Sequence, residues 1–323
     1  MVEAIVSRLP DQIIKGVEFG QRIRRLRKPD NIIIAGMGGS GIAGEIFSTL
    51  FQSRIDLPII THHSYGLPDY FTKRSLLILI SYSGNTEEVL STMRQAQRYS
   101  LPMIAVTSGG TLSRKKIPQV LIPAGLPPRG AFGYLFTPLP FITARCGLIK
   151  DPSLTLTRAA KTLKRNYERL RLRAKDLARR IHRRLPIIYS TMPDLLPVAF
   201  RWSCQLNENA KVVAHIASLP EMNHNEVVGL EGLKSIAREA ILVLLRGRKE
   251  GKRISKRVSI TSRIVEQDFK EIIEVRAEEC DTISSYLMLI WLGDMISVRL
   301  ARLRGVDPLA IRRIDRLKEE MRR

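Results

Sequence analysis

Cysteine is scarce in this chain of 323 residues. Cys146, Cys204 and Cys280 are too few and too scattered for a disulfide framework or a Cys-x-x-Cys metal site. A reducing, cytoplasmic compartment is expected. Aromatic residues make up only 6%, which leaves little material for the stacking platforms of a nucleic-acid binder. No stretch approaches 18 uninterrupted apolar residues, and Met1 to Pro10, with Glu3 and Arg8, lacks the apolar core of a signal peptide. Neither a membrane span nor an export leader is expected. Carboxylates are outnumbered: 31 Asp and Glu against 53 Lys and Arg give a formal charge of +22. That balance points to an anionic partner without choosing among polymer, membrane surface and small phosphate. The wealth of Arg, with Lys and Glu, also fits the ion-pair networks of a heat-adapted protein.

What the chain does have is 44% hydrophobic content, enough for two cored domains at roughly 150 residues each. Short apolar runs, each followed by a turn and a helical pattern, give the rhythm of parallel βαβ units. Strands are expected at Asn31–Ala35, Leu57–Thr61, Ser75–Ile80, Pro102–Val106 and Gln119–Ile122. A long basic helical stretch follows over Leu154–Arg184. The rhythm then resumes with strands at Pro186–Ser190, Ala240–Leu245, Val258–Ile260 and Glu271–Val275, and helices at Pro197–Lys211 and Thr282–Arg302. The fold class is α/β: two domains, 1–150 and 151–323, each a mainly parallel sheet flanked by helices, with the boundary near Lys150-Asp151-Pro152.

Small residues gather where strands turn into helices. Gly36-Met37-Gly38-Gly39-Ser40-Gly41 follows the first strand, and glycines there let backbone N–H groups approach an anion at a helix N-terminus. The spacing contains G-x-G-x-x-G, but Thr61-His62-His63 stands where a ribose-binding carboxylate belongs, which counts against a dinucleotide, and no Gly-Lys-Ser/Thr completes a Walker loop. The third strand ends in Ser81-Tyr82-Ser83-Gly84-Asn85-Thr86, whose hydroxyls could wrap one phosphate; plain helix capping is the competing explanation for Thr86. Thr107-Ser108-Gly109-Gly110-Thr111 is a third such turn. In open α/β sheets ligands bind at these carboxyl ends.

Together, Gly38-Gly39-Ser40-Gly41, Ser81 to Thr86 and Thr107 to Gly110 resemble the sugar isomerase domain. Pro128-Arg129, Asn207-Glu208-Asn209-Ala210-Lys211, Leu219-Pro220-Glu221 with His224-Asn225, and Ile314-Asp315-Arg316-Leu317-Lys318 narrow it: the chain is similar to the bifunctional phosphoglucose/phosphomannose isomerase family, from about residue 31 onward. The resemblance implies reversible isomerisation of glucose 6-phosphate and fructose 6-phosphate, with mannose 6-phosphate as a further substrate, through an enediol and without cofactor or metal. It implies phosphate binding by Gly39, Ser40, Ser81, Ser83 and Thr86, Glu208 as the base, Arg129 stabilising the enediolate, and His224 and Lys318 opening the sugar ring. It further implies a homodimer in which His224 reaches the partner's site.

The residues themselves permit these roles. Isomerisation needs a base on one face and cationic support for the oxyanion. Glu208 falls outside the apolar stripe Trp202, Leu206, Ala210 and Val213 of its helix, and Arg129 occupies a stiff turn after Pro127-Pro128. His224 lies in a polar loop. Asp307-Pro308 reads as the start of a terminal helix with the stripe Ala310, Ile314, Leu317 and Met321, Lys318 being its most inward cation. Where dual-activity relatives have Thr-Pro, this chain has Ile311-Arg312, which points to weakened mannose 6-phosphate turnover.

Other readings compete. A non-catalytic phosphosugar-binding regulator would leave Glu208 and Lys318 without a role. The basic stretch Lys249, Lys252, Arg253, Lys256, Arg257 and Arg263 lacks interleaved aromatics and reads as a solvated face rather than a nucleic-acid surface. His62-His63, with Asp56 and Asp69, is a poor metal site because adjacent histidines point in different directions. No membrane partner is expected.

Overall fold

The computed structural model describes residues 2–233, 239–248, 250–277 and 280–321, and Lys249 of the basic stretch lies outside them. The chain separates into two compact units. The first is Ala4–Arg165 with Thr282–Ser284, and the second takes in the described residues of Asn166–Asp281 and Ser285–Arg323 together with Val2 and Glu3. The seam falls at Arg165 and Asn166, one helix past Lys150-Asp151-Pro152, because the helix Ser153–Arg165 packs against Leu9–Gln21 of the first unit.

In the first unit β1 (Ile32–Gly36), β2 (Ile59–His62), β3 (Leu76–Ser81), β4 (Met103–Thr107) and β5 (Gln119–Leu121) form a parallel sheet in the order β2-β1-β3-β4-β5. Every residue of β1 and β3 is buried. That is why the central strands are unbroken apolar runs, while the outer β2 is only partly buried. The helix Glu87–Arg98 lays Val89, Met93 and Ala96 on Ile33, Leu77 and Leu79.

In the second unit β6 (Leu185–Ser190), β7 (His215–Ser218), β8 (Ala240–Arg246) and β9 (Glu271–Arg276) form a parallel sheet in the order β7-β6-β8-β9. Val258–Ile260, expected as a strand, lies inside the helix Lys252–Val265: Val258, Thr261 and Val265 are its buried residues, at helical spacing. The basic stretch Leu154–Arg184, expected as one helical run, is two helices, Ser153–Arg165 and Tyr167–Ile181. The terminal helix begins at Arg312 and not at Pro308, and it has no buried residue.

Thr282–Leu303 is long and apolar enough to cross a bilayer by length and composition, yet 94% of its apolar window is buried within the protein. It packs so closely on the helix Leu196–Gln205 that a Cβ on Gly293 would come 2.3 Å from the Trp202 ring. The same Trp202 donates its indole N–H to the Leu289 carbonyl at 2.9 Å.

Candidate active site

The first unit builds a candidate anion cradle from three strand ends. After β1 the chain stays extended at Met37 and enters the helix Gly38–Phe51. Gly38 and Gly39 therefore head that helix, where N–H groups have no intrahelical acceptor. After β3, Ser81 Oγ lies 2.7 Å from Thr86 Oγ1. Thr86 occupies the N-cap position of Glu87–Arg98, yet its side chain makes no capping bond. Its hydroxyl faces the loop, which favours the ligand role over simple capping. Ser40 Oγ accepts the backbone N–H of Tyr82 at 3.1 Å and keeps its own proton for another acceptor. Ser83 is exposed, its oxygen accepting the Asn85 N–H at 3.2 Å.

The third turn braces the second. Ser108 donates its backbone N–H and its hydroxyl to the Tyr82 carbonyl, at 3.0 and 2.6 Å, while Leu112 N–H reaches the Gly84 carbonyl and Thr111 N–H the Asn85 side chain, both at 2.9 Å. Gly84 has φ +66, and a Cβ there would collide with the Gly109 carbonyl at 1.8 Å, so only glycine fits. Thr107 to Thr111 thus supplies support rather than ligands. Tyr82 carries the bracing further: its phenol donates to the Pro123 carbonyl at 2.9 Å and accepts the Leu126 N–H at 2.8 Å. That fixes the segment leading to Arg129, which is buried at 5% exposure on the turn Pro128–Gly130. A Cβ on Gly39 would stand 3.1 Å from the Arg129 backbone. Gly39, Ser40, Ser81, Ser83, Thr86 and Arg129 are therefore gathered at one end of one sheet.

A further pair flanks the cradle. His63 meets the Gly36 carbonyl through Nδ1 at 2.6 Å and Glu45 through Nε2 at 2.6 Å, and Thr61 donates to the same carboxylate at 2.7 Å. The Glu45 hydrogen bond raises the His63 pKa, and His63 in turn holds Glu45 below the usual carboxylate range. His62 turns away to the Gly66 carbonyl at 2.9 Å. The dipeptide was visible in the sequence, but Glu45 was not, because only the fold brings β2 beside the helix Gly38–Phe51.

The second unit carries Glu208, His224 and Lys318. Glu208 is half-buried on a π-helical turn, Leu206–Ala210, that extends the helix Leu196–Gln205; such turns recur at functional sites. Lys211, at φ +56, ends the turn and donates to the carbonyls of Glu208 and Asp307, both at 2.7 Å. Beneath it runs a buried polar chain. Arg201 pairs with Asp294 at 2.7 Å, Gln205 donates to Asp294 at 2.7 Å, and Asn209 donates to Gln205 at 3.1 Å and to Ser297 at 2.9 Å. No sequence signal singled out Asp294 or Ser297, which lie far along the chain on Thr282–Leu303.

His224 is exposed on the turn Glu221–His224, which Asn223 ties to the helix Lys252–Val265 by donating to Thr261 at 2.9 Å. Lys318 is also exposed. The stripe expected to bury the terminal helix is open, with Ile314, Leu317 and Met321 at 39%, 62% and 60% exposure, so Lys318 has no inward aim within this chain. Among the described residues no group of His, Cys, Asp and Glu has the arrangement of a metal site.

The family described as "Bacterial phospho-glucose isomerase C-terminal SIS domain" matches residues 171–321, and the family described as "SIS domain" matches residues 25–125. The bifunctional phosphoglucose/phosphomannose isomerase of Thermoplasma volcanium is 36% identical over 301 residues, 92% of this chain and 93% of that protein. That of Caldicellulosiruptor bescii is 33% identical over 335 residues, covering 99% and 98%. Among solved structures, the C-terminal domain of glucosamine-fructose-6-phosphate aminotransferase from Francisella tularensis superposes with a TM-score of 0.71 at 13% identity, over 94% of this chain and 95% of that one, a likeness of fold alone.

Proposed function

The chain belongs to the bifunctional phosphoglucose/phosphomannose isomerase family, and from that premise we infer that the anion cradle of its first unit holds the phosphate of a hexose 6-phosphate. The enzyme interconverts glucose 6-phosphate and fructose 6-phosphate, and it isomerises mannose 6-phosphate to the same ketose. The observation that carries the phosphate assignment is the Ser81–Thr86 hydroxyl pair beside a glycine-headed helix, with Thr86 released from capping.

In this reading each group has its own task. Gly39, Ser40, Ser81, Ser83 and Thr86 bind phosphate, and Arg129 supports the enediolate. Glu208 moves the proton between C1 and C2. His224 and Lys318 assist ring opening. Both are exposed in the single chain, and the open stripe Ile314, Leu317 and Met321 supports a homodimer that supplies further surroundings for them, with His224 reaching the partner's site. The free cysteines Cys146 and Cys204 support a reducing cytoplasmic location.

The test is fructose 6-phosphate in D₂O with metal-free protein, followed by NMR beside the Glu208→Gln variant. Glucose and mannose 6-phosphates with deuterium at C2, formed only by the wild type, are the expected result. Tight binding without turnover would instead make the chain a phosphosugar-binding regulator.

A further inference from the structure

The two sheets share one strand order. β6 stands where β1 stands and β8 where β3 stands, since β7-β6-β8-β9 repeats β2-β1-β3-β4. The registers agree: Gly36 pairs with Ile80 at the ends of β1 and β3, and Ser190 pairs with Leu245 at the ends of β6 and β8. In such sheets the ligand crevice opens at the carboxyl ends of the two central strands, where the strand order reverses. The first unit places its cradle there. The helix after β3 is Glu87–Arg98, and its counterpart after β8 is Lys252–Val265.

In the second unit this crevice already contains an anion. Glu250, just ahead of Lys252–Val265, has a side chain only 1% exposed. Its carboxylate accepts the Gly247 N–H at 3.0 Å, the Thr191 hydroxyl, the Ser255 hydroxyl at 3.3 Å and the Arg246 guanidinium, whose nearest contact is 2.5 Å. Thr191 directly follows β6, while Arg246 and Gly247 end β8. The donor set of hydroxyls, a strand-end N–H and a cation is the one an oxyanion site presents. Burial pushes the Glu250 carboxyl up, but the bonds from Arg246 and Thr191 outweigh it and hold the group below the usual carboxylate range.

We propose that Glu250 is an internal anion filling the oxyanion slot of the second unit, so that this slot is closed in the native chain and takes inorganic phosphate or sulfate once the carboxylate is removed. The proposal concerns a different site from the substrate cradle and does not depend on the catalytic reading.

Full-length wild type and Glu250→Ala are compared by equilibrium dialysis with inorganic phosphate, and by thermal unfolding in sulfate against sodium chloride of equal ionic strength. The variant is expected to bind one more phosphate per chain than the wild type, and to gain several degrees more than the wild type from sulfate. Because sulfate stabilises folded proteins in general, the difference between the two chains is the readout. Equal phosphate binding and equal sulfate gains would overturn the proposal. If Glu250→Ala does not fold, Glu250→Gln decides: it keeps the shape without the charge, and a fall in Tm of several degrees is expected from leaving Arg246 with only the half-exposed Glu274 as counter-ion. A Glu250→Gln chain as stable as wild type would sink the idea.

Discussion

Ser81 Oγ and Thr86 Oγ1 stand 2.7 Å apart across a loop of the cradle, and the threonine gives up its helix-capping bond to stand there. An N-cap hydroxyl is worth about 1 kcal/mol to a helix. Leaving that bond unmade makes sense when the hydroxyl serves a ligand. Charge-assisted hydrogen bonds to phosphate contribute about 1.5–3 kcal/mol each.

Ser81→Ala and Thr86→Val are therefore each expected to raise KM for fructose 6-phosphate about 10- to 100-fold. The Tm should move little, since neither hydroxyl holds the helix. The double variant should fall short of the product of the two, because the hydroxyls touch. Unchanged KM in both would remove them from the phosphate site.

The His63–Glu45 pair predicts a window in pH. His63 has its pKa raised above 6.5, so its contribution to stability is complete below 6.5 and is lost as pH rises through the higher folded value. Glu45 is lowered from 4.5, so its contribution is complete above 4.5 and is lost as pH falls through the lower folded value. The stabilisation of wild type over His63→Gln should be greatest between these two unfolded values and shrink on either side. Tm measured for both chains across pH checks this. The pair is part-exposed, and high salt should flatten the profile.

Asp294 is the hinge of the polar chain under Glu208. Asp294→Asn removes the charge from the buried pair with Arg201 and is expected to lower stability by a few kcal/mol. At temperatures where the variant remains folded, kcat should fall while KM for fructose 6-phosphate changes by less than about twofold, because the disturbance reaches the turn of Glu208, the proposed base, and not the candidate cradle. Equal kcat in the folded variant would confine the network to a structural role.

Ile311 caps the terminal helix without a side-chain bond, and Arg312 is its first residue. Threonine at an N-cap and proline at the following position both suit a helix start. Ile311→Thr with Arg312→Pro should stabilise that helix and raise the mannose 6-phosphate to glucose 6-phosphate rate ratio several-fold, as measured with each aldose separately. Equal turnover of both aldoses by the wild type would refute the weakening assigned to Ile311.

How legible this was depended on burial. β1, β3 and β8 are buried along their whole length, so their sequences are continuous apolar runs that announce themselves. β7 escaped notice because His215–Ser218 is a short outer strand with no fully buried residue. Val258-Ser259-Ile260 misled through its β-branched pair, although Ile254, Val258, Thr261 and Val265 carry the helical period. The cradle was readable because glycine and hydroxyl residues cluster locally at strand ends. Glu208 was readable only by resemblance, since Asp294 and Ser297, which hold the adjoining Gln205 and Asn209, come from a distant helix. The period of the terminal stripe predicts an inward face, but period gives a face and not the partner that covers it.

The interlock of Gly84 with Gly109, and of Tyr82 with Ser108 and Leu126, has a consequence for change in this protein. Ordinary surface loops absorb insertions singly. Here one added residue between Ser81 and Thr86 would dislodge the turn at Thr107 to Thr111 and the approach to Arg129 together. The strand-end loops form a single cassette of fixed length, to be transplanted whole or left alone, and new substrate range must be sought in residues outside it.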